Sequence, residues 1–174
     1  MSKAVFCIVK TSTQAEGIVN RLMQVGFSAN DISVLLPDKS GTRDFAHEHH
    51  TKAPEGAAAG AGTGAAIGGG LGWLAGIGAL AIPGVGPLIA AGPIMAALTG
   101  AAVGGTLGGL TGALIGMGIP EYEAKQYEGK LRSGNALISV HSEDSAETAR
   151  AKEVFKAAGA EDISSSSEAV VGKK

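Results

Sequence analysis

An α+β fold made of two β-α-β halves, interrupted between them by a long helical hairpin, is what this chain predicts. Three observations carry that expectation. A strand-helix-strand pattern runs from Ala4 to Leu36, and the same pattern returns from Ala136 to Ser164. Between them, the 65 residues from Gly56 to Pro120 carry no charged side chain. The boundaries follow: a first half at 1–37, a polar connector at 38–55, a glycine-rich hairpin at 56–119, and an exit helix with the second half at 120–174. Two β-α-β halves of similar size predict a ferredoxin-like sandwich with the insert between its second and third strands.

Ala4 to Val9 is a short apolar run rich in strand formers, predicting a buried strand. Thr13 with Glu16 has the spacing of a capping box. Ala15, Ile18, Val19, Leu22 and Met23 then recur at helical spacing, and Gly26 ends the helix. Asp31 to Leu36 reads as the second strand, closed by Pro37. In the second half, Pro120 suits the first turn of a helix reaching about Arg132, with Glu121 and Glu123 near its positive end and Gly134 as its stop. Ala136 to Val140 is the third strand, and Ser142 or Ser145 caps a helix that turns Ala151, Val154, Phe155 and Ala158 inward. Asp162-Ile163-Ser164 echoes Asp31-Ile32-Ser33, but the polar run Ser164 to Ser167 predicts a fraying last strand.

The uncharged block holds 21 of the 28 glycines. Ten form two ladders of four-residue spacing: Gly60, Gly64, Gly68, Gly72 and Gly76, then Gly100, Gly104, Gly108, Gly112 and Gly116. A four-residue step returns to one side of an α-helix, so each ladder would carve a smooth groove. Glycine weakens an isolated helix by roughly 1 kcal/mol relative to alanine, so the ladders predict close backbone packing that offsets the loss. Pro83-Gly84-Val85-Gly86-Pro87 would be the hairpin turn. As helices, Gly56 to Ile82 would span about 40 Å and Ile89 to Gly118 about 45 Å, enough to cross a hydrocarbon core of about 30 Å.

Three readings of the hairpin stay open. Both arms cross a bilayer, with Lys52, Lys125, Lys130 and Arg132 at its cytoplasmic flank and Trp73, Tyr122 and Tyr127 as interfacial anchors. Alternatively, the arms stack with those of other copies into a ring or filament without lipid. In the third, the block is low-complexity chain, which regular ladders flanked by Leu, Ile and Met oppose. A pore would have only Thr63, Thr99, Thr106 and Thr111 to line it. For the tyrosines, packing of the exit helix on the sheet is an equal alternative.

The segments Thr51-Lys52-Ala53-Pro54-Glu55-Gly56, Leu80-Ala81-Ile82-Pro83-Gly84-Val85-Gly86-Pro87 and Gly118-Ile119-Pro120-Glu121-Tyr122-Glu123-Ala124-Lys125 carry a resemblance. Over nearly its whole length the chain is similar to the small general-stress or heat-induced stress proteins of bacteria, some labelled low-temperature-induced or membrane proteins. The resemblance implies a stress-linked, membrane-associated role and carries over no catalytic residues.

Chemistry-bearing residues are few. His47, His49 and His50, with Glu48 and Asp44, are the one dense set of metal-ligand types, but they match no standard zinc spacing, and a solvated loop is the plainer reading. A metal- or small-ligand-sensing module is the function that set would serve. Cys7, the single cysteine, excludes an internal disulfide and reads as a small buried hydrophobe. His141 reads as a surface residue. Gly68-Gly69-Gly70 lacks the preceding strand and following Lys-Ser/Thr of a phosphate loop, so no nucleotide cofactor is expected. A net charge of −2 gives no electrostatic case for nucleic acid. Met1-Ser2-Lys3 leads directly into a strand with no signal peptide, predicting a cytoplasmic α+β module at the inner membrane, or a wholly cytoplasmic protein. The expected function is therefore a non-enzymatic, self-assembling stress protein at the membrane, with the lipid-free scaffold as its alternative.

Overall fold

The computed structural model describes residues 3–37, 78–82, 86–92, 94 and 109–167. Six antiparallel strands form one sheet, in the order β3-β4-β2-β5-β1-β6. They are β1 (Lys3–Val9), β2 (Ile32–Pro37), β3 (Gly78–Ile82), β4 (Gly86–Ala91), β5 (Ala136–Ser142) and β6 (Glu161–Ser167). The helices are α1 (Ser12–Gln24), α2 (Leu110–Gly116), α3 (Glu121–Arg132) and α4 (Ser145–Ala157). The four strands of the two β-α-β halves lie side by side as β6-β1-β5-β2.

The sheet is covered on both faces. Val5, Cys7 and Val9 of β1 meet α1 and α4, and so do Ile32, Val34, Ile138 and Val140. Ala4, Phe6 and Ile8 point the other way, with Leu35 and Leu137, into a second core built on α2 and α3. Strands buried on both faces need continuous apolar sequence rather than alternation, which is why Ala4 to Val9 has no polar residue.

The helix starts differ from expectation. The N-cap of α1 is Thr11, whose hydroxyl accepts from the Gln14 backbone N–H at 3.1 Å. Gln14 then works in two directions. Its carbonyl oxygen accepts from Lys10 N–H, and its amide donates to the Ala158 and Gly159 carbonyls at 2.8 and 3.1 Å. Those carbonyls follow the end of α4, where helical acceptors lack partners. Thr13 and Glu16 therefore do not form the cap; Gln14 sets the start because it also joins the two helices. At α4 the cap is Asp144, whose carboxylate accepts from the Glu147 N–H while the Glu147 carboxylate accepts from the Glu143 N–H, instead of Ser142 or Ser145. Ser142 is drawn away by the Lys3 carbonyl and the Thr148 hydroxyl. Asp31 lies in a 3₁₀ turn (Ala29–Asp31) capped by Ser28, so β2 begins at Ile32. The stops at Gly26 and Gly134 are as read, and Gly159 follows α4 in the same way, each with positive φ.

The centre of the uncharged block departs most from expectation. Where the sequence predicts two helical arms joined by a turn at 83–87, strands form: Gly78–Ile82 pairs with Gly86–Ala91, and the latter pairs with β2. The end of the first arm and the start of the second are thus not helical. Four-residue apolar runs bounded by glycine and proline suit either a strand or a helix on pattern alone. The deciding term is the outer edge of β2, whose backbone groups β4 satisfies. Pro87 fits because it pairs with Ala81 beyond the end of β2, whose last residue, Pro37, faces Leu88. The second arm ends in α2, only seven residues long, whose Leu110, Ala113 and Leu114 are buried against the sheet.

β6 also exceeds expectation, remaining paired to β1 as far as Ser167 opposite Lys3. Its serines are held by hydroxyl bonds instead of burial: Ser164 to Tyr127, Ser165 to Lys152 and Ser166 to the Gly118 carbonyl.

Candidate functional site

Of the ten ladder glycines only Gly112 and Gly116 lie within the described residues, both on α2; Gly60, Gly64, Gly68, Gly72, Gly76, Gly100, Gly104 and Gly108 lie outside them. Gly112 is half-buried and Gly116 is exposed. Among the described residues, no atom lies within 4 Å of where a Cβ on Gly116 would stand. That last rung is bare backbone turned outward. The histidines His47, His49 and His50, with Asp44, Lys52 and Trp73, also lie outside the described residues. Among the described residues no group of three His, Cys, Asp or Glu is placed to hold a metal ion. Nor is any described helix long and apolar enough to cross a membrane.

The structure instead gathers polar groups at the β6 edge, where α3 crosses the sheet. Pairing of β1 with β6 shifts register between Phe6, opposite Ser164, and Ile8, opposite Glu161. β6 thus carries one extra residue there, a β-bulge, and Asp162 in it has φ +49. A side chain at positive φ is uncommon, although aspartate tolerates it better than most. Two α3 residues hold this turn. The Tyr127 hydroxyl donates to the Asp162 carbonyl at 3.0 Å and bonds the Ser164 hydroxyl at 2.6 Å. The Lys130 ammonium lies 2.5 Å from the Asp162 carboxylate and 3.5 Å from that of Glu161, which Lys10 meets from the other side at 2.7 Å.

The protonation states follow from these surroundings. Tyr127 is almost fully buried beside Phe6, and burial pushes its phenol up to about 12. The Glu123 and Asp162 charges push the same way, against the Ser164 bond. Lys130 is held above the ordinary lysine range by its bond to Asp162. Glu161 is held below the ordinary carboxylate range, by Lys10 first and Lys130 second. Burial pushes the Cys7 thiol far above its usual range. At neutral pH the cluster thus offers hydrogen-bond donors, ammonium groups and paired carboxylates. Its bonds join α3 to β6.

Of the basic residues predicted for a membrane flank, Lys125, Lys130 and Arg132 each have a carboxylate partner. Lys125 pairs with Glu121 at 2.7 Å and Arg132 with Glu128 at 2.5 Å. Glu128 also takes the Thr111 hydroxyl, tying α2 to α3. Tyr127 packs on the sheet, whereas Tyr122 is 69% exposed. Cys7 is buried as expected, and His141 stands on β5 opposite Ala4.

Sequence reasoning missed this cluster and a second contact. Ser33, read only as a strand residue, accepts from the backbone N–H of Ile94 at 3.1 Å inside the protein. No spacing relates residues 61 apart, so only the fold joins them. Compared with models of protein families, curated proteins and solved structures, the chain matches none.

Proposed function

We propose that this protein is a non-catalytic, self-assembling bacterial stress-response module, in which a ferredoxin-like body presents glycine-rich segments that stack between copies. The stress-linked part rests on the resemblance in Gly118 to Lys125 and the neighbouring segments. The strand order β6-β1-β5-β2, with α1 and α4 on one face, supports the ferredoxin-like assignment. The observation that carries self-assembly is Gly116, a ladder residue exposed with no described neighbour where a side chain would be. Bare backbone in a smooth stripe suits close helix approach, and within the described residues nothing approaches it.

Chain connectivity favours this scaffold over a membrane-crossing hairpin. β2 and β3 belong to one sheet, so a segment joining them must cross a bilayer an even number of times. Two crossings take about 40 mostly apolar residues. The uncharged part of that segment, Gly56 to Ile77, has 22, preceded by a connector with charges at Asp38, Lys39, Arg43, Asp44, Glu48, Lys52 and Glu55.

Size-exclusion chromatography with light scattering tests the proposal. Gly116→Leu and Gly108→Leu are expected to shift the protein to smaller species. Gly129→Leu, which also has open space around it but lies off the ladders, should not. Identical masses for all three would refute ladder packing. Carbonate extraction of cells tests the lipid reading, because protein that stays in the pellet would argue for spanning segments.

A further inference from the structure

Asp162 combines two unfavourable features that only its neighbours offset. Its backbone is left-handed, and its Oδ2 is shielded from water and meets the Lys130 ammonium at 2.5 Å. We infer that Lys130, Tyr127 and Asp162 form an acid-releasable latch between α3 and β6, whose opening lifts the α3 cover while the opposite, α1/α4 face stays folded.

The charges around the latch are few and arranged for this. Lys130 and Glu123 approach from α3, Glu161 and Asp162 belong to β6, and Lys10 follows β1. The Cys7 thiol, on the opposite face of β1, stays neutral. Neutralising the carboxylates leaves the Lys10 and Lys130 cations beside the same strand with no counter-charge. Glu161, held below its ordinary range in the fold, stabilises the fold at neutral pH, and that contribution is lost as pH falls through its lowered range. Lys130 stays charged throughout, being held above its own.

Release is selective because α3 depends more on these bonds than its counterparts do. It buries only Ala124, Tyr127 and Leu131, whereas α1 buries four residues and, among the described residues, seats them with no ion pair. The Thr111–Glu128 bond would carry α2 with it. Lifting this layer uncovers Phe6, Ile8, Leu35 and Leu137, an apolar sheet face. Local opening of this kind precedes global unfolding when one unit has few buried contacts.

Hydrogen exchange on the full chain tests the latch, read at pH 7 and at about pH 3.5 after correction for intrinsic rates. In wild type, protection of the α3 and β6 amides should fall about tenfold more than that of α1, a difference of about 1.4 kcal/mol in opening. Lys130→Met should show the weakened α3 protection already at pH 7. Should that variant not fold, Glu161→Gln/Asp162→Gly serves instead. It removes both anions and the strained side chain, so α3 protection should be the same at the two pH values. Parallel loss of α3 and α1 protection in wild type overturns the inference. So does a wild-type pH response in the double variant.

Discussion

Gly92 is the residue whose replacement the structure constrains most sharply. It follows β4 with φ +81, where the chain passes over the backbone of β2. A Cβ there would stand 2.9 Å from the Ser33 Cα and inside any allowed distance from the Ile32 carbonyl oxygen. Both contacts are backbone atoms of a paired strand, so neither can swing aside as a side chain would. For Gly92→Ala, the left-handed conformation costs about 1–2 kcal/mol. Relieving the overlap adds about 1–3 kcal/mol, the range for forcing an extra carbon into packed structure. The Ser33–Ile94 bond lies on the displaced segment, so its loss falls within the same movement. The expected total is about 2–5 kcal/mol, or about 5–20 °C in Tm for a chain of this size. Urea unfolding of the full chain measures it, with Gly17→Ala as control. Gly17 lies exposed inside α1 with nothing within 4 Å, so alanine there should stabilise by about 0.5–1 kcal/mol. If Gly92→Ala matched wild type while Gly17→Ala stabilised, the close passage of β4 over β2 would be wrong.

Other expectations follow from the same contacts. Tyr127→Phe keeps the ring against Phe6 but removes the bonds to Asp162 and Ser164, and should cost about 1–2 kcal/mol by urea titration. Because the Cys7 thiol is held protonated in the fold, the unfolded chain ionises first. Stability should therefore fall as pH rises above about 8.5, by up to about 1.4 kcal/mol per pH unit, and Cys7→Ala should flatten that slope. Native protein should react with a thiol reagent only as fast as it opens, and immediate labelling would contradict burial. Thr11→Ala should lower stability by about 1 kcal/mol while Thr13→Ala should not, since Thr11 makes the cap.

The cap at Thr11 shows how local readings succeed and fail together. The helix was recognisable from its apolar spacing and its closing glycine, both properties of a few adjacent residues. Its start was misread because Gln14 is committed to the Ala158 and Gly159 carbonyls, which no neighbouring residue reveals. The serines of β6 are similar. Their composition suggests fraying, yet partners on α3, on α4 and before α3 hold them in place.

The sequence by itself determined the two β-α-β halves, because periodicity, glycine stops and apolar runs act over a single turn or strand. It also determined that Cys7 would be buried, since a strand with no polar residue must face apolar surroundings on both sides. Only the tertiary structure decided that residues 78–91 hold strands. Short apolar runs next to prolines are poised between two states, and the open hydrogen-bonding edge of β2 tips them. The bulge at Asp162 likewise exists because α3 delivers a hydroxyl and an ammonium to one point. That meeting depends on how helix and sheet pack, since Tyr127 and Asp162 stand 35 residues apart along the chain.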